Sequence, residues 1–493
     1  MAHKYKKLCS GATVMKSNGL ALRRLSEYIP TQGLLYTLSS DYTYYTFSGI
    51  EGQSDAGVII SDIVIADVVN GKLVTGMTST AITANSVLMS IVMPDSFTDI
   101  PENAFHNCFN LSQVVLPNSI KSIGAGAFIN CKKLESIKIP GSVTTICQNA
   151  FEACTSLKSV TIGNGVMRIG DGAFYDCKSL TSVTIPDSVT HIGYSVFYNC
   201  ESLTSVTIGN GVTYTGANAF GDCTSLTSVH ISDIASWCGI SYYDSHSNPL
   251  YYAKNLYLNG ELVTELVIPD SVTKIGSSAF AFCGLTSVTI PDSVTSIGHL
   301  AFNGCSSLES ITIPFVGASK TATGSEAVFG YIFGASSYDG GTATHQYQTS
   351  GSNTTYYIPT SLKSVTVTGG SIQNRAFYNC SNLTSVTIGN SVTSIGNYAF
   401  YNCTSLTSIT IGDSVTSIGE YAFYYCSNLT SITIPEGVTS IGNYAFSYCD
   451  GLTSIVYSGT VKQWSNVSKS PNWFNSSAPV NTVTCLDGDV SLR

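Results

Sequence analysis

A unit of 23 residues recurs along most of the chain, and one copy reads Leu383-Thr-Ser-Val-Thr-Ile-Gly-Asn-Ser-Val-Thr-Ser-Ile-Gly-Asn-Tyr-Ala-Phe-Tyr-Asn-Cys-Thr-Ser405. Self-similarity at this period defines a solenoid, in which each unit buries its apolar face only by stacking on its neighbours. Cysteine carries the phase. Cys108, Cys131, Cys154, Cys177, Cys200 and Cys223 stand 23 apart, as do Cys380, Cys403, Cys426 and Cys449, while Cys283 and Cys305 are 22 apart. A phenylalanine precedes each by three residues, from Phe105 and Phe128 through Phe400, Phe423 and Phe446.

Within a unit, Leu157, Val160 and Ile162 mark a half-buried strand, because the last two alternate with a polar residue. Gly163-Asn164-Gly165, or Pro186-Asp187-Ser188 in the next copy, supplies turn chemistry. Val166 and Ile169 point inward again, Gly170 permits a bend, and Ala173-Phe174 with Cys177 closes the coil. The Asp171–Tyr175 stretch has room for one short helical or 3-10 turn. The expected fold is a repeat solenoid, α/β but mostly β, with stacked parallel strands. Strand starts from Leu88 to Leu452 predict one continuous sheet of about fifteen strands and roughly 70 Å, at about 4.8 Å per step.

The pattern LxxLxLPxxLxxIxxxAFxxCxx resembles the BspA-type, or Treponema pallidum class, leucine-rich repeat. Leu180, Val183, Ile185, Pro186, Val189, Ile192, Phe197 and Cys200 match it, and Val196 replaces the usual alanine. The resemblance covers roughly residues 86–457. It implies a right-handed leucine-rich-repeat array and a protein that is secreted or on the cell surface. It also implies a protein partner on a host or neighbouring cell, and it carries no catalytic residue.

Composition fits a weakly charged surface. Charged residues are 11% of the chain, against about 25% in ordinary soluble proteins. The net charge is −9 and the basic residues form no stripe, which argues against nucleic-acid binding through phosphate neutralisation. No apolar run approaches the ~18–20 residues of a transmembrane segment. Met1 to Lys7 is followed by Leu8–Lys16, too short and polar for a signal core, so no clear signal peptide is expected. Twelve of 16 cysteines share one repeat position. That favours a reduced ladder of small buried side chains over disulfides or metal, and CxxC spacing is absent.

The expected organisation is an N-terminal extension over residues 1–33, an N-terminal cap over 34–87, the solenoid over 88–457 and a C-terminal cap over 458–493. Two units are long: Leu226 to Val263 spans 37 residues and Leu308 to Leu362 spans 54. The resulting insertions, about 232–262 and 315–361, are rich in aromatics, the side chains that interfaces favour. Trp237, Tyr242 and Tyr243 in the first, and Tyr331, Phe333, Tyr338, Tyr347 and Tyr356 in the second, are the candidate binding residues. The alternative is that these rings pack their own loops onto the solenoid.

Two surface patterns add to these candidates. Outward hydroxyls repeat at Thr181-Ser182 and Thr184, Thr204-Ser205 and Thr207, Thr384-Ser385 and Thr387, and Thr407-Ser408 and Thr410. Such a ladder suits a repetitive glycan or ice, or simply reflects β-propensity and solubility without charge. Tyr175, Tyr198, Tyr378, Tyr401 and Tyr424 predict an exposed stripe that stacks on sugars or a partner, or covers the next coil. His230, Asp233, Cys238, Asp244 and His246 gather near the first insertion, the one place where a metal or hydrolytic site is conceivable. No histidines have HExxH spacing, so no catalytic residue, metal or cofactor is assigned. The reading is a non-enzymatic binding scaffold for a protein partner, acting in cell-surface adhesion. The alternative is a carbohydrate-binding module using the tyrosine stripe or the hydroxyl ladder.

Overall fold

The computed structural model describes residues 33–50, 61–349, 352–474 and 478–492, without the side chains of residues 347–349 and 352. The Met1–Lys16 stretch therefore lies outside the described residues, as does most of the 1–33 extension.

Each regular coil makes two strands and one turn-rich edge. Ser182–Ile185 pairs in parallel with Ser205–Ile208, and Val183 and Ile185 meet Val206 and Ile208. Their burial alternates exposed and buried, as a strand with one wet face requires. After the Pro186 turn, His191–Ile192 pairs with Arg168–Ile169 on one side and Tyr214–Thr215 on the other. Two parallel ladders thus run along the solenoid.

The third edge differs from the expected helical turn. Its residues form successive turns with left-handed backbone at Ser195 and Asn199, φ 52° and 59°. N–H groups here alternate between two jobs. The Ala173 N–H donates to Gly170 O within its own turn, whereas Phe174 N–H donates to Val196 O of the next coil at 2.9 Å. Half the donors therefore serve stacking, which a helix would have directed to its own axis. Helices are confined to the irregular segments, as at Ile234–Cys238, Leu250–Ala253 and Val461–Asn466.

Gly170 does not act as a bend. Its φ is not positive, but a Cβ there would lie 2.7 Å from the Gln148 N and 2.8 Å from the Cys147 carbonyl carbon of the preceding coil. Gly419 and Gly442 meet the same obstruction, at 2.6 and 2.5 Å. Glycine at this position lets one backbone lie directly on the next.

The interior is a set of like-for-like columns. Phe105, Phe128, Phe151 and Phe174 stack at 4.9, 5.1 and 5.3 Å, and Phe377, Phe400, Phe423 and Phe446 at 5.0, 5.2 and 5.2 Å. The repeat cysteines stand beside them, all free and all buried.

The strand face is not one sheet. It comprises a three-stranded piece from Asp62–Val64 to Gln113–Val115, a seven-stranded sheet beginning at Ser136–Ile139, and a run of ten strands from Glu265–Val267, part of a 13-stranded sheet that also takes in Ser417–Ile418, Ser440–Ile441 and Ser468–Lys469 of the second ladder. The second break has a local cause. Asn259 and Gly260 take φ of 51° and 91°, the mirror-type hairpin geometry that Asn-Gly favours. Glu261–Leu262 then folds back antiparallel on Leu256–Leu258 and occupies the edge the next coil would have used.

Both insertions replace core that a regular coil would have contributed. In the second, the Phe302 N–H donates to Ile332 O and the Phe329 N–H to Ala376 O. The Phe329 ring lies 4.9 Å from Phe377, prolonging the phenylalanine column. The hairpin of Gly341–Thr349 and Ser352–Pro359 adds Gln346, fully buried. Its Oε1 accepts from Gly330 N at 2.8 Å, and its Nε2 donates to Tyr378 O at 3.2 Å. The first insertion works alike: Trp237 is buried and its Nε1–H donates to Ala279 O at 2.8 Å.

At the N-terminal end Leu34–Leu38, Tyr45–Ile50, Lys72–Met77 and Val68–Val69 form a small sheet. At the other end Trp473 stands edge-on to Phe446 at 6.0 Å, and Trp464 packs on Tyr457 and Trp473.

Candidate interaction surface

Of the residues expected to bind, Trp237, Tyr242, Phe333 and Tyr356 are buried, each 7% exposed or less. They correct the sequence reading for one reason: an insertion that stands in for a coil directs its large rings inward. Tyr338 is half-buried, and its hydroxyl donates to Tyr357 O at 3.0 Å. Tyr331 is half-buried against His299, 5.2 Å between rings. The Tyr347 side chain lies outside the described residues. Among the described members of the set only Tyr243 is fully open, 63% exposed, and it stands edge-on to Tyr194 at 5.6 Å. The Tyr194 and Tyr214 hydroxyls lie 3.4 Å apart beside it.

A larger aromatic surface covers the last coils of the array. Tyr378, Tyr401 and Tyr424 stack at 4.7 and 5.2 Å. A second row of Tyr398, Tyr421 and Tyr444 stacks at 4.8 and 5.0 Å. A third pair, Tyr425 and Tyr448, stacks at 4.6 Å. Edge contacts of Tyr424 with Tyr421 at 5.2 Å and with Tyr425 at 4.8 Å bind the rows into one face. The Arg375 guanidinium lies over the Tyr398 ring at 5.2 Å and closes one end. Burial and neighbouring hydroxyls push Tyr424 up to about 12, so it is a neutral hydroxyl at physiological pH.

Five of these tyrosines sit where the coil requires left-handed backbone: Tyr398, Tyr421, Tyr425, Tyr444 and Tyr448 have φ of 52–60°. Other coils place Asn103, Asn107, Asn130, Asn149, Asn199 and Asn218 at these positions, but also Ala153, Asp176, Ser195 and Asp222. Asparagine tolerates that conformation through local hydrogen bonds, whereas an ordinary side chain costs roughly 1–2 kcal/mol there. A stacked aromatic pair returns about 0.5–1.5 kcal/mol. The two magnitudes are comparable, and Ala153, Phe282, Leu300 and Arg375 take the same left-handed backbone at equivalent positions, so what sets these coils apart is the run of tyrosines and not the strain.

The Tyr175 and Tyr378 columns were legible from sequence because tyrosine follows phenylalanine directly. The other rows were not. Tracking which residue departs from the Asn/Gly/Ser norm one and five places before each cysteine would have found them.

The hydroxyl ladder is partly structural. Thr204 Oγ1 donates to Thr181 O at 3.0 Å, and Thr407 Oγ1 to Thr384 O at 3.0 Å, each bridging successive coils. Thr184 and Thr207 instead border a cleft of about 490 Å3 with Asn164, Asp187, His230 and Asn259. His230 stacks on Tyr257 at 4.8 Å. The acids near the first insertion act as caps: Asp233 accepts from Ser236 N at 2.8 Å, and Asp244 from Ser247 N at 2.7 Å. Among the described residues no group of three His, Cys, Asp or Glu is placed to hold a metal ion. Nor, among them, is any helix long and apolar enough to cross a membrane.

Stacked parallel strands around a buried phenylalanine–cysteine spine are the architecture of leucine-rich-repeat proteins, a class of protein-interaction scaffolds. The family model described as BspA type leucine rich repeat region (6 copies) matches residues 79–190, 153–243, 252–330 and 349–472, and the chain belongs to that family. Among solved structures it is similar to a leucine-rich repeat protein from Bacteroides ovatus ATCC 8483, at 23% identity over 93% of this chain and 100% of that one, with TM-score 0.37. It is also similar to the T. pallidum leucine-rich repeat protein, at 28% identity over 41% of this chain and 91% of that one, TM-score 0.37. A third similar structure is a leucine rich cell surface protein from Faecalibacterium prausnitzii A2-165, at 27% identity over 89% and 97% of the two chains, TM-score 0.28. No curated protein matches the chain.

Proposed function

We propose that this protein is a non-enzymatic scaffold that binds a partner protein through the tyrosine face of its last coils, in adhesion at the cell surface. The observation that carries the reading is one face of eight tyrosines, stacked in rows over the last coils and joined by edge contacts. Tyrosine brings large contact area with a polar tip, the profile of interface hot spots. A surface with few formal charges binds by such area rather than by ion pairs. The surface location follows the family resemblance.

The test is a double substitution, Tyr425→Asn with Tyr448→Asn, which installs the residue that Asn402 and Asn379 supply one and two coils before Tyr425. Wild type and variant are compared for adhesion to cultured cells and to a panel of immobilised purified proteins. Adhesion lost at unchanged thermal stability supports the reading; undiminished adhesion to every target removes it.

The second reading, carbohydrate binding, draws on the cleft bordered by Thr184, Asp187, Thr207 and His230. Hydroxyl, carboxylate and amide groups there suit a sugar's vicinal hydroxyls. A glycan array separates the two readings, since silence across it leaves only the protein partner.

A further inference from the structure

We infer that the cleft beside His230 binds an uncharged pyranose of the glucose type, laid flat on the His230 ring. This rests on the carbohydrate reading of the cleft, a surface apart from the tyrosine face, and names the sugar and the residue that holds it.

The cleft exists because one row of side chains changes height. Thr207, His230 and Tyr257 are partners in register on successive strands, and Thr184 precedes Thr207 in the same row. The short threonines make a floor, and the histidine stands over it as a wall. Asn259, in the turn that closes this sheet, borders the same space. The volume of about 490 Å3 lies within the roughly 300–1,000 Å3 of small-ligand sites.

The wall is an aromatic face held in place. The His230 ring lies on Tyr257 with 4.8 Å between centroids and 21° between planes, and its Nε2 is 3.1 Å from the Ser228 hydroxyl. Tyr257 covers one face of the ring. The other looks along the row over Thr207, whose side chain is too short to cover it. In the preceding coils the row holds Lys138, Thr161, Thr184 and Thr207, none of them a ring. The C–H groups of a pyranose are weakly positive and meet such a face as an aromatic edge does. Ile185, Pro186 and Ile208 add apolar contact below.

The polar lining is unengaged. The Thr181 and Thr204 hydroxyls, at the other end of the strands, bridge to the preceding coil. By contrast, among the described residues the side chains of Asn164, Thr184, Thr207 and Asn259 have no partner in the protein. Hydroxyl and amide groups each give and take hydrogen bonds, as the hydroxyls of a sugar do. One Asp187 oxygen accepts from Asn210 N at 2.8 Å, which leaves the other for a sugar hydroxyl.

Charge selects among sugars. Asp187 lines the cleft, and no lysine or arginine does. Asp233 beside it caps its own helix, Lys138 stands two coils before Thr184 along the row, and Arg168 belongs to the other ladder. A uronic acid, a sialic acid or a phosphate would meet Asp187 with no cation in the lining to offset it. A glucose-type ring, its hydroxyls equatorial, keeps a C–H face for His230 while its rim reaches Asp187 and the threonines.

The experiment is isothermal titration calorimetry on the full chain with cellotetraose and tetragalacturonate. Cellotetraose is expected to bind saturably and tetragalacturonate to give no heat. His230→Ala is expected to weaken cellotetraose by about tenfold, the worth of one aromatic contact, and His230→Phe to recover most of that. Thr207→Val, which leaves the ring alone, is expected to weaken it by about fivefold through one lost hydrogen bond. Thr410→Val, at the same repeat position on the other sheet, is expected to bind as wild type does. Affinity that His230→Ala and Thr207→Val leave intact overturns the inference, as does tetragalacturonate binding as tightly as cellotetraose, or loss in Thr410→Val. If cellotetraose is silent while a glycan array captures another sugar, the glucose-type assignment alone falls. If the array is silent too, the carbohydrate reading falls with it.

Discussion

The Cys403 thiol donates to the Phe377 carbonyl of the preceding coil at 3.2 Å. The same contact recurs from Cys154 to Phe128 at 3.2 Å, Cys200 to Phe174 at 3.3 Å and Cys449 to Phe423 at 3.1 Å. Cysteine in this column therefore fills a small apolar space and also holds two coils together, which alanine could not do. Its sulfur is a weak donor, suited to a carbonyl that already accepts the N–H of Cys380.

Thiol reactivity follows from that burial. Exclusion from water pushes Cys403 and Cys449 up to about 12, and the thiolate is the reactive form. In native protein at pH 8 the ladder is expected to resist Ellman's reagent for hours, with Cys147, only half-buried, reacting first among the described residues. After denaturation at least twelve free thiols are expected, and a count near zero would overturn the reduced ladder.

The same burial sets an alkaline limit on stability. These thiols titrate near 9.0 when solvated and near 12 in the fold. Between those values the unfolded chain has lost protons that the native chain keeps, so rising pH favours unfolding. Their contribution is complete below about pH 9 and declines toward pH 12, by roughly 1.4 kcal/mol per pH unit for each buried thiol. Guanidinium melts at pH 7.5, 9 and 10 should show midpoints falling only above 9. A midpoint that stays level through pH 10 contradicts this.

Phe400 lies between Phe377 and Phe423 at 5.0 and 5.2 Å and is fully buried. Phe400→Ala opens a cavity with rigid neighbours above and below, and is expected to cost about 3–5 kcal/mol. Tyr425→Asn, which loses one stack but relieves a strained backbone, is expected to change stability by less than about 1 kcal/mol. Denaturant melts of the two variants distinguish core from surface ring directly.

The inner columns were readable in sequence because each depends only on spacing: phenylalanine, cysteine and the strand valines recur in fixed phase, and stacking follows. The insertions were not, since Trp237 and Phe333 look like interface residues by type. Nothing local says that a missing coil needs their volume. Gly170 was read as a bend because glycine often is one. The obstruction that demands it lies on another coil, 22–24 residues away in sequence. The left-handed tyrosines were hidden likewise, because φ at Tyr425 is set by coil-to-coil hydrogen bonding and not by its neighbours in the chain.

Gly419 tests that close approach. An alanine Cβ would lie 2.6 Å from both the Asn397 N and the Gly396 carbonyl carbon, backbone atoms that cannot step aside singly. Gly419→Ala is expected to cost about 1–3 kcal/mol, the range for overpacking, despite the better strand and helix propensity of alanine. A neutral or stabilising result in thermal melts would mean that the coils separate freely.

Thr407 and Thr410 divide the hydroxyl ladder by function. Thr407 Oγ1 donates to Thr384 O at 3.0 Å and is one link in a chain continued by Thr430 Oγ1 to Thr407 O at 3.2 Å. Thr410 ends the strand Ser408–Thr410 that Thr407 leads into, with its side chain exposed. Valine at either site keeps the branched shape and removes only the hydroxyl. Thr407→Val is expected to cost about 0.5–1.5 kcal/mol, the net worth of one hydrogen bond, whereas Thr410→Val is expected to leave the denaturant midpoint in place. Equal effects at the two sites would show that coil bridging by threonine adds nothing to the stack.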